Sequence, residues 1–300
     1  MGVRVRVPAK INLALGVGAV GQDGYHPLTT VFQAVSLYDE LYAVDDEPGR
    51  LTLDLIGEGA GEVAVDESNL AMRAALLLAD RFGGRDRFGA SLHLKKSIPV
   101  AGGMAGGSAD AAAALLACSV LWDLDVDPDE LRELGAELGA DVPFSLLGGT
   151  AIGRGRGDEL VPVLTRGCHH WVLAFADFGL STPAVYRRFD ELRPGGGSLA
   201  MPEAMMTALT GGGSAALAKS LHNDLAQAAI DLEPSLQSLL DTGLEHGALA
   251  AMVSGSGPTC AFLCADETTA VDVSNRLARA EIARAVRRVT GPVPGARLIG

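Results

Sequence analysis

Positive charge is scarce in this chain: 24 Lys and Arg stand against 37 Asp and Glu, giving a formal net charge of −13 and an isoelectric point near 4.8. That balance argues against nucleic acid or an anionic membrane as the main partner, and an anionic ligand would need cations gathered locally against the overall field. Long apolar runs are missing too. None reaches the roughly 18 residues of a membrane span, and no apolar core follows Met1-Gly2-Val3-Arg4, so no signal peptide is expected and a cytoplasmic location is the default. Cysteine is sparse. Cys118, Cys168, Cys260 and Cys264 show no C-x-x-C spacing, which favours small buried residues over metal ligands.

What the chain has is length, apolar content and glycine. Its 300 residues suggest two domains, and 48% apolar with 20% charged residues suits sizeable cores rather than disorder. We place the domain boundary between 165 and 166.

The segment Pro99 to Leu116, P-V-A-G-G-M-A-G-G-S-A-D-A-A-A-A-L-L, is the feature around which the rest is organised. Gly102, Gly103, Gly106 and Gly107 allow left-handed backbone and close approach of a ligand. Ala and Leu from Asp110 onward are strong helix formers, and Ser108 at the junction is expected to cap that helix. A glycine loop feeding a helix N-terminus is an anion cradle, so the polyphosphate of a nucleotide is the expected occupant. The spelling excludes two other designs. No Lys follows Gly107 as a Walker A loop requires, and no acidic residue ends a second strand about 20 residues on, as a dinucleotide fingerprint requires.

Val3 to Val7 alternates as a half-buried strand, Pro8-Ala9-Lys10 is expected to break it, and Ile11 to Leu15 resumes it, with Lys10 and Asn12 on one face. Thr30–Val44, Leu51–Ile56 and Ala90–Lys96 read as further strands, and Ser68 as the cap of a helix to about Arg81. Asp141 follows a helix end in G-A-D-V-P-F and precedes an apolar run. A carboxylate there is either a solvated turn residue or one held for use. Gly148 to Gly157 reads as strand, turn, strand rather than a ligand loop. After 166, strands and helices alternate without repeat, as in an α+β sandwich.

Pro8-Ala9-Lys10-Ile11-Asn12, the Pro99–Ala112 loop and Gly255-Ser256-Gly257-Pro258 together resemble the GHMP small-molecule kinases. Asp23-Gly24-Tyr25-His26, Gly139-Ala140-Asp141-Val142-Pro143-Phe144 and the extra loop glycines resemble, within that family, the 4-diphosphocytidyl-2-C-methyl-D-erythritol kinases of the non-mevalonate isoprenoid pathway. The resemblance implies an α+β two-domain fold: a ribosomal-S5-domain-2-like α/β half at 1–165, a ferredoxin-like sandwich at 166–300, and a cleft between. It implies ATP and Mg²⁺ as cofactors and a cytidine-diphosphate-linked polyol as acceptor, handled by a monomer or homodimer.

By the same resemblance, Asn69, Leu70, Lys95, Lys96 and Ser97 would lie at the adenosine end. Pro99, Val100, Ala101, Gly102, Gly103, Met104, Ala105, Gly106, Gly107, Ser108, Ala109 and Asp110 would form the phosphate loop, with the Ser108 hydroxyl near Mg²⁺. Tyr25, His26, Tyr186, Thr182 and Asn12 would hold the acceptor. Asp141 would take its hydroxyl proton and Lys10 would hold that carboxylate. Met104 and Ala105 replace Leu and Gly of the usual loop, Ala109 stands where a second Ser is common, and Pro27 follows His26. Another GHMP kinase, acting on a sugar, homoserine or mevalonate, and a non-catalytic binding protein of the same fold are the alternatives.

Overall fold

The computed structural model describes residues 2–201 and 203–300. The first half runs β1 (Gly2–Val17), β2 (Leu28–Asp45), β3 (Leu51–Gly57), α1 (Leu70–Phe82), β4 (Ala90–Lys96), α2 (Gly106–Leu121), α3 (Pro128–Leu138), α4 (Val142–Leu147), β5 (Thr150–Gly155) and β6 (Glu159–Pro162). The second runs β7 (His169–Phe175), α5 (Thr182–Leu192), α6 (Glu203–Gly211), α7 (Ser214–Ala218), β8 (His222–Asn223), α8 (Ala226–Leu232), α9 (Ser235–Glu245), β9 (Ala250–Val253), β10 (Cys260–Cys264), α10 (Glu267–Arg279), β11 (Ala285–Gly291) and β12 (Arg297–Leu298).

The expected break at Pro8 is absent. β1 is one long strand, antiparallel to β2, with register shifts between Pro8 and Ala9 and between Asn12 and Ala14. Proline lacks the N–H that a ladder uses, and a bulge accommodates it without ending the strand. β1 starts half-buried, with Val3, Val5 and Val7 inward, and is buried on both faces from Ala9 on. It carries Lys10 and Asn12 into the centre of the molecule. β4 pairs with β2, β3 runs parallel to β4, and the β5–β6 hairpin extends the other end of β2.

The Ala-rich α2 is buried along most of its length, and small side chains let it lie close against β1 and β2. The second sheet has the order β11-β7-β10-β9 and is antiparallel throughout. α8, α9 and α10 pack against it. Burial pushes the Cys118 and Cys260 thiols up to about 12, so both are inert fillers, as their spacing suggested, whereas Cys168 is exposed, against that expectation. β7 opens the second sheet just after residue 166, while β8 and β12 from the later half return to pair with β1. No helix among the described residues is long and apolar enough to cross a membrane.

Candidate active site

The glycine loop ends differently from the expectation. Ala105, not Ser108, is the N-cap of α2. It sits in the left-handed region (φ +58°, ψ +37°) and makes no side-chain cap bond. The first backbone bond of the turn is Ala109 N–H to the Ala105 carbonyl at 2.9 Å, so the N–H groups of Gly106, Gly107 and Ser108 have no acceptor within the helix. These open donors are what an anion cradle requires, and they start one helical turn earlier than a Ser108 cap would have placed them. Ala101 also has positive φ (+52°), so two loop positions that favour glycine are held by alanine at a strain of about 1–2 kcal/mol each.

The loop is pinned from two sides. Lys10 N–H donates to the Met104 carbonyl (3.4 Å), and the Ser254 hydroxyl donates to the Gly103 carbonyl (3.2 Å). Gly103 is at φ +72°, and a Cβ there would run into the Ser254 carbonyl. The late Gly255-Ser256 turn therefore abuts the phosphate loop, and Asn223 Nδ2 holds it by donating to the Val253 and Gly255 carbonyls, both at 2.8 Å.

Beneath the cradle lies a buried ionic cluster. Lys96 Nζ donates to Asp39 Oδ2 and to Asp110 Oδ2, each at 2.6 Å, and all three side chains are buried. Burial works against the Lys96 charge, but Asp110 and Asp39 outweigh it and hold the ammonium above its ordinary pKa. Burial, with Asp39 adding to it, pushes Asp110 well above the usual carboxylate range against the pull of Lys96. Asp39 also accepts from the backbone N–H groups of Ser97 and Ile98, fixing the chain where it enters the loop.

Lys10 and Asp141 face one another. Lys10 Nζ is 3.9 Å from Asp141 Oδ2 and donates to Asn12 Oδ1 at 2.8 Å. Asn12 Nδ2 donates to Thr30 Oγ1 (2.8 Å), which donates to the Ala14 carbonyl (2.7 Å). This chain fixes the Asn12 amide and, through it, the Lys10 ammonium. Asp141 precedes α4 but makes no capping bond, and its side chain is one-third exposed, so its oxygens are open to a ligand. Tyr186 stands close enough for Asp141 to add to the burial that pushes its phenol up to about 12.

These groups line one cleft of about 570 Å³, the size of an ordinary small-molecule site. Of the expected nucleotide residues, Asn69, Leu70, Lys96, Pro99, Val100, Ala101, Gly102, Gly103, Ala105, Gly106, Gly107 and Asp110 line it. Lys95 points to the opposite face of the sheet, beside Tyr42 and His93, because neighbouring strand residues alternate sides. Met104 is buried beneath the loop, and Ser108 Oγ faces Gly139.

Asn69, not Ser68, caps α1: its Oδ1 accepts from Ala71 N–H (2.9 Å) and its Nδ2 donates to the Ala64 carbonyl (2.7 Å). Both functional ends of that amide are thus committed to the wall of the cleft. Of the expected acceptor residues, Asn12, Asp141, Thr182 and Tyr186 line the cleft. His26 lies just behind it, its ring 5.0 Å from Tyr186, and Tyr25 lies outside with the Arg156 guanidinium 4.3 Å over its ring. Sequence reasoning missed Asp39, Thr30, Phe32 and Arg156. Asp39 had left a signal: it falls on the core-facing alternation of β2 with Val35, Leu37, Leu41 and Ala43.

Residues 69–149 match the family described as GHMP kinases N terminal domain, and residues 205–283 match GHMP kinases C terminal. A 4-diphosphocytidyl-2-C-methyl-D-erythritol kinase of Cutibacterium acnes is 53% identical over 100% of this chain and 97% of its own. One of Mycobacterium tuberculosis is 53% identical over 99% and 93%. A crystal structure of 4-(cytidine 5'-diphospho)-2C-methyl-D-erythritol kinase superposes with a TM-score of 0.78 at 34% identity, over 95% of this chain and 98% of that one. The homoserine kinase of Cytophaga hutchinsonii shares the fold (TM-score 0.79, 17% identity, 99% and 97% covered). The chain belongs to the GHMP kinase family, in the branch of the 4-diphosphocytidyl-2-C-methyl-D-erythritol kinases.

Proposed function

We propose that this chain is an ATP-dependent kinase that phosphorylates the 2-hydroxyl of 4-diphosphocytidyl-2-C-methyl-D-erythritol in the non-mevalonate isoprenoid pathway. The observation that carries the reading is that Lys10 and Asp141, 131 positions apart, meet at 3.9 Å in the same cleft as the open N–H groups of α2. The full-length relatives supply the acceptor. We take 1–165 as the nucleotide-carrying half and 166–300 as its partner, working in the cytoplasm as a monomer or homodimer.

Phosphoryl transfer asks for alignment and for compensation of charge more than for covalent chemistry. The N–H groups of Gly106, Gly107 and Ser108 and the helix dipole receive the phosphates. Asp141 accepts the proton of the acceptor hydroxyl, whose oxygen forms the new bond to the γ-phosphorus as the bond to ADP breaks. Lys10, held by Asn12, keeps Asp141 and the hydroxyl together. Tyr186, protonated at neutral pH, offers a donor beside Asp141.

No group of three or more His, Cys, Asp or Glu among the described residues could cage a metal. The donor set instead fits a cation that arrives on the triphosphate and needs few protein oxygens. Asp110 Oδ1, buried and without a hydrogen-bond partner below the cradle, is the observation in favour. Asp110 is the group that would reach it from the cleft lining, whereas the Ser108 hydroxyl, expected near Mg²⁺, faces Gly139 and does not line the cleft. Bound Mg²⁺ would neutralise charge on the phosphates.

The test is ATP consumption with the diphosphocytidyl acceptor, with mevalonate and homoserine as controls. Turnover with the first and not the others is expected; the reverse removes the reading.

A further inference from the structure

Two polyanions must share a cleft in a chain of net charge −13. Its lining holds three cations, Lys10, Lys96 and Arg156. Lys96 is more than matched by Asp39 and Asp110, and Lys10 faces Asp141. Arg156 is the one lining cation that makes no ion pair with a described carboxylate. It sits on the β5–β6 turn between Gly155 (φ +65°) and Gly157 (φ +103°), where its backbone N–H donates to Asp158. β5 pairs with the start of β2, Gly155 opposite Leu28. The turn therefore lies beside Leu28 and Tyr25, in the same cleft as Asn69 and the start of α2. The guanidinium, 4.3 Å over the exposed Tyr25 ring, has its planar N–H fork free.

We propose that Arg156 binds the anionic diphosphate linker of the acceptor and, stacked on Tyr25, selects diphosphate-linked acceptors over neutral polyols. This rests on the acceptor reading above. The hairpin that looked like a plain strand–turn–strand is, on this view, a specificity element. The chemistry is that of a cation otherwise exposed and uncompensated. An anion in reach gains a charge-assisted bond without first breaking an existing ion pair.

The experiment is calorimetric titration of the wild type, R156A and R156K with CDP and with cytidine, at low and high salt, the nucleotide site being filled with a non-hydrolysable ATP analogue. Wild type is expected to prefer CDP over cytidine, and more so at low salt. R156A should lose about 10–100-fold in CDP affinity and most of the salt dependence, with little change for cytidine. R156K should recover part of the loss, keeping the charge but not the planar fork. In turnover, R156A should raise KM for the acceptor and leave KM for ATP alone. Arg156 is exposed, so an unchanged melting temperature checks the fold of R156A. Equal CDP binding by wild type and both variants overturns the role of Arg156 alone. A wild type that binds no CDP overturns the acceptor reading and this proposal with it.

Discussion

Lys96 Nζ and Asp39 Oδ2, 57 residues apart in the chain, meet at 2.6 Å beneath the glycine loop, and Asp39 also takes the N–H groups of Ser97 and Ile98. The loop is therefore held by an ionic anchor rather than by its own glycines. We predict that Lys96→Met, which leaves two buried carboxylates facing each other, lowers the unfolding free energy by about 3–5 kcal/mol. Removing the half-exposed Arg81–Glu137 pair, also short at 2.7 Å, should cost less than about 1 kcal/mol. Urea denaturation of the two variants checks this, and similar losses would show that Lys96 is not an anchor.

Asp110 makes the same cluster pH-sensitive. Burial, reinforced by Asp39 and opposed by Lys96, raises its pKa well above the ordinary 3.8. A carboxyl group raised in the fold stabilises it fully below the unfolded-state pKa, and that contribution is lost as pH climbs through the folded-state pKa. Wild type should thus lose stability relative to Asp110→Asn as pH rises from about 4. Parallel stability–pH curves for the two proteins would contradict this.

Gly103 is where the two halves of the cleft touch. A Cβ would strain a φ of +72° and strike the Ser254 carbonyl, whereas a Cβ on Gly107 would meet only the Leu70 side chain at 3.3 Å. Gly103→Ala should destabilise by at least about 1–2 kcal/mol and weaken ATP binding. Gly107→Ala should lose less stability. Thermal unfolding of the pair decides it, and equal losses would mean the Ser254 contact is not tight.

Much of this was legible beforehand because it rests on local chemistry. Glycine before an alanine run marks a loop feeding a helix, and alternation in Val3 to Val7 marks a strand. The misses come from geometry that sequence does not encode. Asn69 rather than Ser68 caps α1, since both residue types cap well and only the chain direction chooses. Ala105 rather than Ser108 starts α2, because the fold forces an alanine into left-handed backbone. Lys95 and Lys96 look alike in sequence, yet the pleat sends one to the cleft and the other to the far face. Arg156 reached the cleft through a strand pairing that spans more than 120 residues.

The role of Lys10 separates from binding by kinetics. Lys10→Ala should lower kcat, since it removes the group that holds Asp141 and the hydroxyl together. A change confined to KM for the acceptor would make Lys10 a binding group only.

The most direct measurement is the turnover of Asp141→Asn alongside its affinity for ATP. The account predicts that ATP binding is unchanged, because the cradle is built from the Gly106, Gly107 and Ser108 amides, while kcat falls by about 10²–10⁴-fold. Near-normal turnover in that variant would contradict a proton-accepting Asp141 and leave the Lys10–Asp141 pair a positioning device alone.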